Sequence, residues 1–100
     1  MSYTVRIAAN VRQRVDAHIA FLARVSQSAA LRLMDVLFAD VADLAHSPHR
    51  FPIYESNKTQ EELHWRLSAK RYRIVFSISD ESVYIRDVQD CRQGDESRFV

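Results

Sequence analysis

The sequence predicts an α+β fold: an N-terminal strand and an antiparallel helical hairpin packed on one face of a twisted, mainly antiparallel sheet. Three observations lead there. Apolar residues recur at helical spacing between Val11 and Leu44, and they alternate at period two from Leu63 onward. A chain of 100 residues, 47% of them apolar, suffices for one modest core, so a single domain over residues 1–100 is expected. The order of patterns reads β-α-α-β-β-β-β. Two helices joined by a short break lie side by side, and their apolar stripes need a further layer, which the strands supply.

The elements follow in order. Tyr3, Val5 and Ile7 alternate with Thr4, Arg6 and Ala8, as in a short half-buried strand. Asn10 is placed to cap a helix in which Val11, Val15, Ile19, Leu22 and Val25 share one face, with Arg12, Arg14, Asp16 and Arg24 on the other. Ser26-Gln27-Ser28 interrupts the pattern and offers hydroxyl caps. Ala30, Leu33, Met34, Leu37, Phe38, Val41 and Leu44 then line a second helix, which ends at Ser47-Pro48 because proline disfavours helical geometry in the residue before it. His49 to Tyr54 reads as an edge strand, since Pro52 removes a ladder donor, and Glu55 to Gln60 as a polar loop.

Leu63, Trp65 and Leu67 alternate with His64, Arg66 and Ser68; Tyr72, Ile74, Phe76 and Ile78 alternate with Arg71, Arg73, Val75 and Ser77. After a turn at Asp80-Glu81-Ser82, a last strand runs from Val83 to Val88. Val83, Ile85 and Val88 do not share one parity, so a bulge is expected near Arg86.

Composition removes several classes of function. Gly94 is the only glycine, which leaves no glycine-rich phosphate loop and no nucleophile elbow. Cys91 is the only cysteine, and no histidine supplies a partner at zinc-ligand spacing, so neither a metal nor a cofactor is expected. Cys91 reads as a structural thiol, His18 as a boundary residue, and His46 and His49 as residues flanking a helix end. No apolar run is long enough to cross a bilayer and no secretory signal is evident, so no membrane partner and a cytoplasmic location are expected. Net charge is only +1, but Lys58 and Lys70 are the only lysines among 14 basic residues. Guanidinium groups grip phosphate or carboxylate with two bonds, although a GC-rich genome yields the same skew.

Alternation places the candidate chemistry. If Leu63, Trp65 and Leu67 face the helices together with Tyr72, Ile74, Phe76 and Ile78, then His64, Arg66, Arg71 and Arg73 form a basic patch on the other face. Arg92 and Glu61 or Glu62 would reach its edges. Such a patch fits metal-independent RNA cleavage by attack of the 2′-hydroxyl. Glu62 or His64 would take the proton, while Arg66, Arg73 and Arg92 neutralise the phosphate. It equally fits a phosphate or an acidic protein, and the uncovered face of an antiparallel sheet is polar in any case because water touches it.

Leu44-Ala45-His46-Ser47-Pro48-His49-Arg50-Phe51-Pro52, Lys70-Arg71-Tyr72-Arg73-Ile74-Val75-Phe76, and Val88-Gln89-Asp90-Cys91-Arg92-Gln93 follow one another along the chain. In that order they resemble the RelE/ParE superfamily of bacterial type II toxin–antitoxin toxins, including plasmid-stabilisation proteins, over nearly the whole length. The resemblance implies a RelE/ParE-like fold and a cognate antitoxin with an acidic, partly disordered tail. It also implies one of two targets: the ribosome and its mRNA, cleaved by an endoribonuclease, or DNA gyrase, inhibited without catalysis. Arg73 and Arg92 match the phosphate-holding arginines of the RNA-cleaving members, with Lys70, Arg71 and Phe99 as substrate-binding residues. RNA-cleaving members commonly end in a tyrosine or a histidine-tyrosine pair; Phe99 stands here, and a phenyl ring stacks on a base but donates no proton. Messenger RNA cleavage is the first expectation, gyrase inhibition the alternative, and an inactive member that still binds antitoxin the third.

Overall fold

The structure, a computed structural model, describes residues 2–55 and 61–91. Its elements are β1 (Thr4–Ile7), α1 (Ala9–Ala23), α2 (Gln27–Asp43), β2 (Ile53–Tyr54), β3 (Leu63–Ser68), β4 (Tyr72–Ser79) and β5 (Ser82–Asp90). Among the described residues one sheet has the order β1-β5-β4-β3-β2. The β2-β3-β4-β5 pairings are antiparallel, and β1 joins β5 in parallel. The α+β architecture is the one expected from the sequence.

Local chemistry explains most boundaries. Ser26 caps α2 by accepting from the Ala29 amide at 3.2 Å. Asn10 has no such role: α1 begins at Ala9 with Ala8 as its cap, and no side chain bonds there. The expected edge strand from His49 shrinks to Ile53–Tyr54, because Pro48–Arg50 forms a 3-10 turn after Ser47 enters the left-handed region at φ 48°. The loose carbonyls after α2 go to Arg50, which donates to His46 O at 2.6 Å, rather than to the flanking histidines.

Val11 and Val15 of α1 and Leu33 and Leu37 of α2 pack on Tyr72, Ile74 and Phe76 of β4 and on Val83, Ile85 and Val88 of β5. The bulge lies where alternation required it. Val75 pairs with Asp87 and Phe76 with Ile85, so Arg86 is the extra residue, and Val83, Ile85 and Val88 all turn to the core.

The β3–β4 turn carries Ala69 at φ 53° and Lys70 at φ 64°. A Cβ in this region costs about 1–2 kcal/mol. Ala69→Gly is therefore expected to stabilise the fold by roughly 0.5–1 kcal/mol, the relief being partly offset by the freer unfolded chain. A rise in the urea midpoint at unchanged slope would be the reading.

Candidate functional site

The hairpin of α1 and α2 covers one side of the sheet and leaves the other open. Register assigns each strand residue to a side. Arg66 pairs with Ile74, His64 with Phe76 and Ser68 with Tyr72, so all three β3 residues share the helix side with the core residues of β4. Trp65 and Leu67 share the open side with Val75 and Arg73. The parity expected for β4 holds and that expected for β3 is inverted. His64, Arg66, Arg71 and Arg73 do not form one patch.

The inversion has a physical reason. At β3 the sheet meets the acidic margin of α2 rather than its apolar stripe. The Arg66 guanidinium lies 3.0 Å from Asp43 Oδ2 and 3.5 Å from Asp40 Oδ1, and its Nη1 donates to the Asp40 carbonyl at 3.4 Å. Ser68 donates to Asp40 Oδ2 at 2.7 Å. Arg50 reaches Asp43 from the other direction at 2.6 Å. Burial pushes the Asp43 carboxyl up, but hydrogen bonds and charge from Arg66 and Arg50 outweigh it and hold the group below the usual range.

His64 is buried, stacked on Phe76 at 5.7 Å and 20°. Its Nδ1 lies 2.9 Å from the Phe51 carbonyl oxygen, to which the ring donates from that nitrogen, and its Nε2 is 3.9 Å from the exposed Glu62. Both expected bases thus stand near one another, but His64 is packed into the core. Arg71 sits at the β3–β4 turn and donates to the buried Asp90 at 2.7 Å, a bond that raises its basicity against the desolvation opposing it. Lys70 is exposed on the same turn. Arg92 and Phe99 lie outside the described residues.

On the open face, Arg73 is half-buried, with its guanidinium 4.9 Å from the Trp65 ring and 5.9 Å from the Tyr54 ring. Gln89 donates to the Tyr54 hydroxyl at 3.4 Å and to Asp87 at 3.1 Å, and Arg14 pairs with Asp87 at 3.3 Å. The bulge residue Arg86 donates to Ser77 Oγ at 3.1 Å and to Glu61 at 2.8 Å. Trp65 and Tyr54 were not singled out by the sequence reading; inverting β3 moves the indole from core to open face and makes it a neighbour of Arg73.

On the helix side, two hollows of about 450 and 490 Å³ share Leu22 and Arg71. They lie between the tip of the hairpin and the β3–β4 turn. Phe21 and Val25 line one and Val36 the other, residues that are 64%, 80% and 43% exposed, while Arg32 and Lys70 add basic groups.

A family model described as the ParE toxin of type II toxin-antitoxin system, parDE, matches residues 5–94. The chain belongs to this toxin family. No curated protein matches it. As a ParE-family toxin it has an antitoxin as partner, and its two helices on a five-stranded mixed sheet with an N-terminal strand fit the RelE/ParE-like fold. No helix among the described residues is long and apolar enough to cross a membrane, and none of the described His, Cys, Asp and Glu side chains cluster in a group that would hold a metal.

Proposed function

We propose that this ParE-family toxin arrests growth by binding DNA gyrase without catalysis, and that the open face of its sheet makes the contact. The observation that carries the reading is the division of the candidate nuclease groups between the two sides of the sheet. Cleavage through the 2′-hydroxyl needs a base and a phosphate clamp within hydrogen-bond reach of one phosphate. Arg66 and His64 face the helices, Arg66 is committed to Asp40 and Asp43, and Arg73 faces the opposite way. Inhibition by contact makes no such demand. It needs a few large side chains held in place, and Trp, Tyr and Arg are the types that dominate such contacts. Trp65, Tyr54 and Arg73 form that cluster on the open face.

The antitoxin takes the other side. The apolar hollows around Leu22, with Arg32, Lys70 and Arg71 about them, fit an acidic segment that is disordered alone and orders on binding.

Induced expression in bacteria, with total RNA and plasmid topology sampled during the arrest, tests the target. Relaxed or broken plasmid with intact transcripts is the expected result, together with loss of supercoiling by purified gyrase when the toxin is added. Cleaved transcripts with normal supercoiling would overturn the proposal.

A further inference from the structure

The strap between α2 and β3 joins the two sides of the sheet. It runs from Pro48 through Phe51 to Tyr54, and β2, its only strand, has two residues. A two-residue ladder holds little by itself, and Ile53 is 56% exposed, so β2 gains little from burial. What fixes the strap lies two residues before β2, at Phe51.

Phe51 is gripped from several directions. The guanidinium of Arg50 lies 4.5 Å from its ring and that of Arg66 4.7 Å, and both arginines end on Asp43. Its ring meets Phe76 of the core edge-on at 6.1 Å. Its carbonyl accepts from His64, and the next carbonyl, Pro52 O, accepts from the Trp65 amide at 3.0 Å. From there the pairing of Ile53 with His64 and Tyr54 with Leu63 sends Tyr54 to the open face, where its ring lies beside Arg73.

We propose that Asp43, acting through Arg50, Arg66 and Phe51, is a positioning residue that seats Tyr54 against Arg73 on the opposite side of the sheet. One carboxylate on the helix side thereby sets the shape of the open face. Asp43 touches neither Tyr54 nor any target; it orients two guanidiniums, which hold a ring, which fixes the backbone that carries Tyr54. The consequence for toxicity rests on the reading that the open face contacts the target, but the positioning itself does not.

Trp65 is the only tryptophan of the chain and lies beside Arg73, so its fluorescence reports on the open face directly. The experiment measures Trp65 emission and acrylamide quenching in the purified full chain, at a temperature where each variant is fully folded by far-UV circular dichroism. Tyr54→Ala sets the signal of an unseated Tyr54. Asp43→Asn is expected to change emission and to raise quenching in the same direction, and Asp43→Glu to restore part of the wild-type signal. Ser26→Ala, which loses a helix cap far from the strap, is expected to lower the melting temperature and leave Trp65 unchanged. If Asp43→Asn fails to fold, Arg50→Gln carries the same expectation, because it releases the strap and leaves the Asp43–Arg66 pair in place.

Unchanged Trp65 signals in a destabilised Asp43→Asn or Arg50→Gln would overturn the proposal and reduce the cluster to a stability element. The two readings fail separately. Gyrase inhibition that survives Arg73→Ala would remove the contact-face assignment and leave the positioning role standing, whereas a silent Trp65 would do the reverse.

Discussion

Arg66→Ala is expected to make the protein easier to unfold by about 2–3 kcal/mol. Removing one partner of a fully buried ion pair costs about 3–5 kcal/mol, because the other charge is left without its counterion. Arg66 is 17% exposed and Asp40 26%, but Asp43 is 44% exposed, and water at that end lowers the cost. The melting temperature should fall by about 10–20 °C. Arg66→Met should fall less, since it keeps apolar packing over Phe51 while Ser68 and Arg50 still serve Asp40 and Asp43. A phosphate-gripping Arg66 predicts the opposite pattern, lost toxicity at an unchanged melting temperature, and that outcome would sink the structural role.

The same cluster sets an acid limit on stability. The Asp43 carboxyl is held below the ordinary aspartate value of 3.8 in the folded chain. A depressed carboxyl contributes stability that is fully present above the unfolded value and is lost as pH falls through the folded one. Acid titration from about pH 5 to 2 should therefore destabilise the wild-type chain more than Asp43→Asn, which starts less stable and has no charge to lose there. Parallel curves for the two proteins would contradict the assignment.

The fold was legible because its patterns are local. The helical period of Val11 to Leu44 and the alternation of Tyr72 to Ile78 each report on one element, and the broken parity at Val83, Ile85 and Val88 was enough to place the bulge. The candidate site was less legible because it depends on which part of a helix lies over which strand. Alternation in β3 allows two facings, and preferring apolar residues for the helix side put Leu63, Trp65 and Leu67 inward. That preference fails where the covering surface is polar. Asp40 and Asp43, one turn apart beside the Leu37–Leu44 stripe, were the signal that an arginine and a serine would meet this part of α2. Leu67, 50% exposed, is the apolar surface left open by that exchange. Asn10 failed as a cap for a smaller reason, since Ala8 already has the extended geometry that starts the helix.

Arg73→Ala is expected to abolish growth arrest in a chain that still folds. Its two ring contacts together are worth about 1–2 kcal/mol even at sites open to water, so the melting temperature should fall by at least about 5 °C, and toxicity is compared where both proteins are fully folded. At an interface the same side chain counts for more, because the target seals the cluster from water. Truncating a central arginine commonly costs about 2 kcal/mol or more, or roughly thirtyfold in affinity. The toxin concentration that halves gyrase supercoiling should rise by about that factor. Arg73→Lys should recover little of the loss, since an ammonium keeps the charge but not the planar face that lies beside Trp65 and Tyr54. Trp65→Ala should match Arg73→Ala in direction, because it removes the other half of the same contact. Full inhibition by a folded Arg73→Ala would move the target contact off the open face and leave Arg73 a structural role alone.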